Sequence, residues 1–182
     1  MYPKLIKLDF DLSRALEVDY SATNSCLFHQ KYEQTETYKK YGDIPESYCD
    51  ENTSIHQVWW DVEDFEGIEE IGKQLNIDVK GLSTIKQDPG NFIPIHKDIF
   101  KKIKDKYDTT GKKIVRANIH INEWSPGQII QYENKDGWKN FSNWEVGQGL
   151  LFDDTCLHVG MNGSLKPKYT MQISGFYNGK VI

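Results

Sequence analysis

The chain predicts a mainly β protein with flanking helices, built as a sandwich or barrel. From Gly81 onward short alternating runs are broken by Gly, Pro, Asn and Asp, as in sheets whose strands are joined by tight turns. The first 80 residues are mixed in texture and contain one stretch with clear helical spacing. The 182 residues, 38 % hydrophobic and 13 % aromatic, suffice for one core of ordinary domain size. A single domain over 1–182 is expected, with 1–80 a helical or irregular support and 81–177 the β core.

The N-terminal "MYPKLIKLDF" lacks an apolar signal core, and no run approaches the ~20 apolar residues that cross a bilayer. A cytoplasmic protein with no membrane partner is expected. Charged, loop-like sequence fills 32–53. "DVEDFEGIEEIGKQLNI" then places Val62, Phe65, Ile68, Ile71 and Leu75 near helical spacing behind Asp61 as N-cap. "GLSTIKQDPG" is a strand ending in the turn Asp88-Pro89-Gly90, and "FIPIHKD" is the next. "IFKKIKDKYDTTGKK" has room for a short helix with Ile99, Phe100, Ile103 and Tyr107 inward. Further strands are "KKIVRANIHINEW", "GQIIQYEN", "QGLLFDD", "TCLHVG" and "KPKYTMQISGFYNG". Cys26, Cys49 and Cys156 are odd in number and widely spaced, which fits reduced thiols and offers no thiolate zinc pair.

Chemistry concentrates in "NFIPIHKD". Residues i and i+2 of an extended strand point the same way, so His96 and Asp98 are expected to project together. With His158 they complete two histidines and one carboxylate, the set that leaves positions open on non-haem Fe(II). His-x-Asp alone is a common accident, but the later strands add to it. One face of "IVRANIHIN" carries Arg116, Asn118, His120 and Asn122, and one face of "KYTMQIS" carries Lys168, Thr170, Gln172 and Ser174. A solvated face satisfies such alternation in any one strand. Here basic and amide groups recur in place of the Glu/Lys mixture of a wet surface. A metal at one end of a barrel and a fixed cation deeper inside suit a small dicarboxylate.

At these residues the sequence resembles the Fe(II)/2-oxoglutarate-dependent oxygenases: "HKD" at 96–98, the distal His158, and Lys168 one strand later. The resemblance covers roughly 81–177 and implies a double-stranded β-helix, a jelly-roll relative of the cupins. It also implies Fe(II) on His96, Asp98 and His158, with 2-oxoglutarate as cosubstrate and O2. "FDDTCLHVGMNG" and "NIHIN" are similar to segments of the aspartyl/asparaginyl β-hydroxylases, where the strand histidine, here His120, approaches 2-oxoglutarate. "EWSPGQIIQYE", "NWEVGQG" and "KPKYTMQISG" resemble small oxygenases of marine phages, in which the "PKYT" cation is usually arginine. Lysine is a point charge without a bidentate fork, so Tyr132 or Thr170 is expected to share the cosubstrate carboxylate, with Lys166 the next candidate cation. The β-hydroxylases lack the aspartate of the motif, so that similarity is confined to the distal half.

Together these imply a dioxygenase that hydroxylates a C–H bond of an amino acid or peptide side chain; the net charge of −5 disfavours nucleic acid. Keeping Asp98 favours hydroxylation over halogenation. A cupin-type metal-binding jelly roll without 2-oxoglutarate, and a catalytically inactive ligand-binding module, are the alternatives. Asp153 and Asp154 are expected to form a turn or to orient His158, and His29 and His56 to be surface or satisfied polar residues. The five tryptophans are core or loop anchors or a stacking wall, and the loops around Trp138, Phe141 and Trp144 are expected to close over a ligand. The lysines of 97–113 form a solvated face or an attractor for an anionic substrate.

Overall fold

The computed structural model describes residues 1–21, 25–26 and 35–179. In chain order the elements are β1 (Lys4–Lys7), β2 (Ser25–Cys26), α1 (Thr35–Tyr41), α2 (Asp50–Thr53), β3 (Ser54–Trp60), α3 (Ile68–Leu75), β4 (Ile77–Gln87) and β5 (Phe92–His96). They continue with α4 (Lys101–Lys106), β6 (Ile114–His120), β7 (Gln128–Asn134), β8 (Gly137–Phe141), β9 (Gln148–Asp153), β10 (His158–Asn162) and β11 (Lys168–Tyr177). Two antiparallel sheets form. The larger runs β1-β9-β6-β11-β4-β3-β2 and the smaller β5-β10-β7-β8.

The alternation of β6 and β11 decides how the sheets sit. Val115, Ala117, Ile119, Met171 and Ile173 are almost wholly removed from solvent on one face of the larger sheet. They pack with Leu8, Leu12 and Ala15 of the N-terminal segment and with Phe65, Ile71 and Leu75 in and before α3. Each such side chain contributes about 1.5–3 kcal/mol through burial. The other face looks to the smaller sheet: Lys168 Nζ donates to Met161 O at 3.2 Å, and Gln87 Nε2 donates to Gly160 O at 3.1 Å. Ile130, Tyr132, Phe141, Trp144, Leu150 and Phe152 form a second core there. The polar face of β6 and β11 is therefore interior, as the recurrence of basic and amide groups requires.

Some boundaries differ from the pattern-based expectation. The helix expected from Asp61 starts only after Gly67, whose φ of 79° is left-handed and breaks the helical path. Asp61 instead caps a turn, accepting from the Glu63 amide at 3.0 Å, while Phe65 is still buried. Asn76, with φ 55°, ends α3 and lets β4 begin at Ile77, before the expected Gly81. Phe100, just before α4, and Ile103 within it are buried in a small cluster with Ile114 and Phe176. The mixed N-terminal region contributes strands: β1 pairs with β9, and β3 lies between β2 and β4. The aromatic stretch expected to close over a ligand holds β8, and Phe141 and Trp144 are buried core. No helix among the described residues is long and apolar enough to cross a membrane.

Candidate active site

β5 is an edge strand of the smaller sheet, which is where a strand tolerates Pro94. Its last residue, His96, lies opposite His158, the first residue of β10. Their ring centroids are 4.1 Å apart. His96 Nδ1 donates to Pro94 O at 2.8 Å and His158 Nδ1 to Cys156 O at 3.3 Å. A carbonyl only accepts, so both protons are on Nδ1 and both Nε2 lone pairs are available. Asp98 is two residues beyond the end of β5, so the shared-face argument for a strand does not deliver it. The segment after β5 does, bringing Asp98 Oδ1 to 3.8 Å from His96 Nε2. One donor atom from each of His96, Asp98 and His158 lies within 4.8 Å of the others, and all three residues are buried.

Electrostatics put each group in its ligating form. Burial pushes His96 below its ordinary value, and burial, then the neighbouring His96, brings His158 down to about 3. Both are neutral at neutral pH. Burial opposes ionisation of Asp98, but the Arg116 guanidinium beside it outweighs this and holds the carboxyl below its usual range. Arg116 Nη1 is 2.9 Å from Asp98 Oδ2, an ion pair, and its Nε donates to Ser174 Oγ at 2.9 Å across the β6–β11 ladder. Two neutral imidazoles and one carboxylate, with no thiolate, suit Fe(II). Arg116 was visible in the sequence only as an inward cation; its link to Asp98 depends on a segment distant in the chain.

The interior beyond these ligands has a different character. Lys168, first residue of β11, is 4 % exposed, and its ammonium has the Met161 carbonyl as hydrogen-bond partner. Burial pushes its pKa down to about 7. His120 is fully buried, lies flat on Trp144 (centroids 3.6 Å, 9° between planes), and has no hydrogen-bond partner among the described residues on either ring nitrogen. Burial, then Lys168, holds it well below the usual histidine value. Thr170 is opposite His120 in the β6–β11 register, and Tyr132 opposite His158 in β7–β10.

A cavity of about 670 Å³ has His96, Asp98, Arg116 and Ser174 in its wall. Lys168, Thr170, His120 and Tyr132 are not among its lining residues.

Other expectations are met in part. Asp153 and Asp154 form the expected turn, with the Cys156 amide donating to Asp153 O at 3.2 Å and the Thr155 amide to Asp153 Oδ1 at 3.0 Å. Asp153 makes no hydrogen bond to His158; its carboxylate is bound by Lys113 at 2.8 Å, by the Thr155 hydroxyl at 2.6 Å and by the N-terminal amine. Asp154 pairs with Lys104 at 3.1 Å. The orienting group on His158 is a backbone carbonyl, which side-chain patterns do not reveal. His56 meets Asp88 at 3.0 Å, and His29 lies outside the described residues. Lys166 is exposed. Trp124 donates to Gln128 O at 2.8 Å as a loop anchor, whereas Trp59 and Trp60 line the cavity. Cys49 and Cys156 are free thiols, the latter pushed up to about 12 by burial.

No family model and no curated protein sequence matches the chain. Among solved structures it is similar to a Pseudomonas putida prolyl-4-hydroxylase, at 15 % identity and TM-score 0.54, over 98 % of this chain and 93 % of that one. It is also similar to two non-haem α-ketoglutarate-dependent enzymes of nogalamycin biosynthesis. The carbocyclase SnoK aligns at 10 % identity and TM-score 0.52, over 96 % of this chain and 79 % of that one. The epimerase SnoN aligns at 8 % identity and TM-score 0.52, over 79 % and 70 %. At such identities the likeness establishes the fold, the double-stranded β-helix jelly roll. Within it the chain carries a buried His-Asp-His group of metal-binding geometry.

Proposed function

We propose that the protein is an Fe(II)- and 2-oxoglutarate-dependent dioxygenase that hydroxylates a C–H bond of an amino acid or peptide side chain. The observation that carries this is the pairing of two features. An open-faced His96-Asp98-His158 group is joined by a buried ammonium, Lys168, whose hydrogen-bond partner is one neutral carbonyl. A buried cation without a counter-ion is costly, and an anionic ligand relieves that cost. A cupin-type centre without 2-oxoglutarate has no use for this cation, and an inactive binding module has no use for the three ligands.

His96 and His158 offer Nε2, and Asp98 offers Oδ1, while Arg116 holds Oδ2 and so restricts Asp98 to one ligating oxygen. Lys168 receives the distal carboxylate of 2-oxoglutarate, with the Thr170 and Tyr132 hydroxyls as neighbouring donors. His120, fixed on Trp144, turns unpartnered ring nitrogens to the same interior. The iron and cosubstrate, when bound, supply the oxidant: one atom of O2 enters succinate, formed with CO2, and the other becomes the substrate hydroxyl. The protein residues fix geometry and keep water from the reacting centre. The distal-half similarity to aspartyl/asparaginyl β-hydroxylases supports an amino acid or peptide substrate.

Titration of the wild-type protein with Fe(II) and then 2-oxoglutarate under nitrogen tests the proposal. Binding of both is expected, with metal binding lost in His96→Ala and His158→Ala and cosubstrate binding lost in Lys168→Met. Metal binding without 2-oxoglutarate binding in the wild type would favour the cupin-type centre. Unchanged metal affinity in both histidine variants would remove the iron assignment.

A further inference from the structure

We infer that the cavity beside Asp98 selects a peptide or N-acylated amino acid that ends in a free carboxylate. This deepens the dioxygenase proposal and rests on it for the site of reaction.

One wall, formed by β3, β4 and β11, carries a fixed amide pair. Gln57 Nε2 donates to Ser83 Oγ at 3.0 Å and to Gln172 Oε1 at 3.3 Å, and the Ser83 hydroxyl donates to Gln172 Oε1 at 3.3 Å. In either orientation of the two amides this network occupies the donor end of one and the acceptor end of the other. One glutamine therefore keeps a carbonyl oxygen as an acceptor and the other an NH2 as a donor, both in the cavity lining. A neighbouring acceptor and donor are the complement of the N–H and C=O of a peptide unit.

A second wall supplies charge. Lys80 and Lys101 are paired with Asp78 at 2.8 Å and Asp105 at 3.8 Å. Lys102 and Lys106, one turn apart on α4, line the cavity with no carboxylate partner among the described residues. Lys102 Nζ sits 3.4 Å over the Trp59 ring, which braces the ammonium without neutralising it. Arg116 is already committed to Asp98, so these lysines are the free positive charge of the lining. In a chain of net charge −5, two unpaired lysines at a cavity concentrate attraction for a small anion. Asp61 and Glu63 also line the space and repel a polyanion such as a nucleotide, which favours a single carboxylate.

The test uses the wild-type protein loaded with Fe(II) and 2-oxoglutarate. Its probes are a pool of N-acetyl tripeptides with free carboxylates, the same pool as C-terminal amides, and nucleoside monophosphates. Quenching of tryptophan fluorescence without O2 reads binding, since Trp59 and Trp60 line the cavity. Succinate release and a one-oxygen mass gain with O2 read turnover. The carboxylate pool is expected to bind and react, and the amide pool to bind about tenfold more weakly, as loss of a charge-assisted contact implies. In Lys102→Gln/Lys106→Gln, a change of surface-facing side chains, the two pools should become equal. Equal response of the pools in the wild type would overturn the inference. So would a response confined to nucleotides, or silence of both peptide pools in protein that binds Fe(II) and 2-oxoglutarate. Failure to bind Fe(II) or 2-oxoglutarate at all would instead strike the dioxygenase proposal itself.

Discussion

The two faces of the β6–β11 ladder are made by alternate residues of the same two strands and do opposite work. On one face Val115, Ala117, Ile119, Met171 and Ile173 belong to one apolar cluster, and burial there stabilises the fold. On the other, Lys168, His120, Asn118 and Thr170 are buried as well, yet polar atoms of His120 and Asn118 have no hydrogen-bond partner among the described residues. Unpartnered buried polar groups cost about 1–3 kcal/mol each and persist where a ligand meets them. The contrast teaches that this sheet is stabilised from one side and carries unmet polar groups on the other.

The strongest test of that contrast is Lys168→Met. Loss of one partner of a buried ion pair costs about 3–5 kcal/mol, so 2-oxoglutarate affinity should collapse by more than about a hundredfold in calorimetric titration. The ligand-free variant should be no less stable than wild type in urea, since a strained buried charge has gone. Equal cosubstrate affinity in the two proteins would mean that the polar face has another purpose.

The same lysine predicts a pH dependence. Its pKa is about 7 in the folded protein and near 10.5 when unfolded, so between these values the unfolded chain binds more protons. Stability of the ligand-free protein should therefore rise with pH from about 7 to 10.5, the penalty being fully present below that window. The difference between wild type and Lys168→Met in urea midpoints across pH isolates this slope. A constant difference would show that Lys168 does not titrate there.

Ile119→Ala probes the opposite face, where a fully buried side chain leaves a cavity. A loss of about 2–5 kcal/mol in urea unfolding is expected, with Fe(II) affinity unchanged. Weaker metal binding in that variant would mean that the faces are coupled.

A smaller effect is expected from Arg116→Met. Removing a group that orients a metal ligand typically weakens binding by about 10- to 100-fold, read here by Fe(II) titration and by a changed Co(II) absorption spectrum. Arg116→Lys should recover part of the affinity, whereas unchanged binding in Arg116→Met would reduce the guanidinium to a cavity-wall residue.

Much of this site was legible in sequence because its elements are local. A strand places residues two apart on one side, so the shared faces of Arg116, Asn118 and His120, and of Lys168 and Thr170, follow from period alone. His96, Asp98 and His158 were readable as the residue types of one metal set, although strand period does not by itself deliver Asp98. Periodicity does not say which face meets water. Here that was decided by α3 and the N-terminal segment covering the apolar side, and by the smaller sheet covering the polar one. Only the tertiary structure could bring Asp98 from beyond its strand to Arg116, lay Trp144 on His120, or exchange the expected Asp153 contact for the Cys156 carbonyl. Those contacts join residues from different elements, and their energies depend on burial that no single segment possesses. β1 and β3 were hidden for the same reason: a strand whose apolar residues do not alternate cleanly is held by the backbone partners it finds, β9 for one and β2 and β4 for the other.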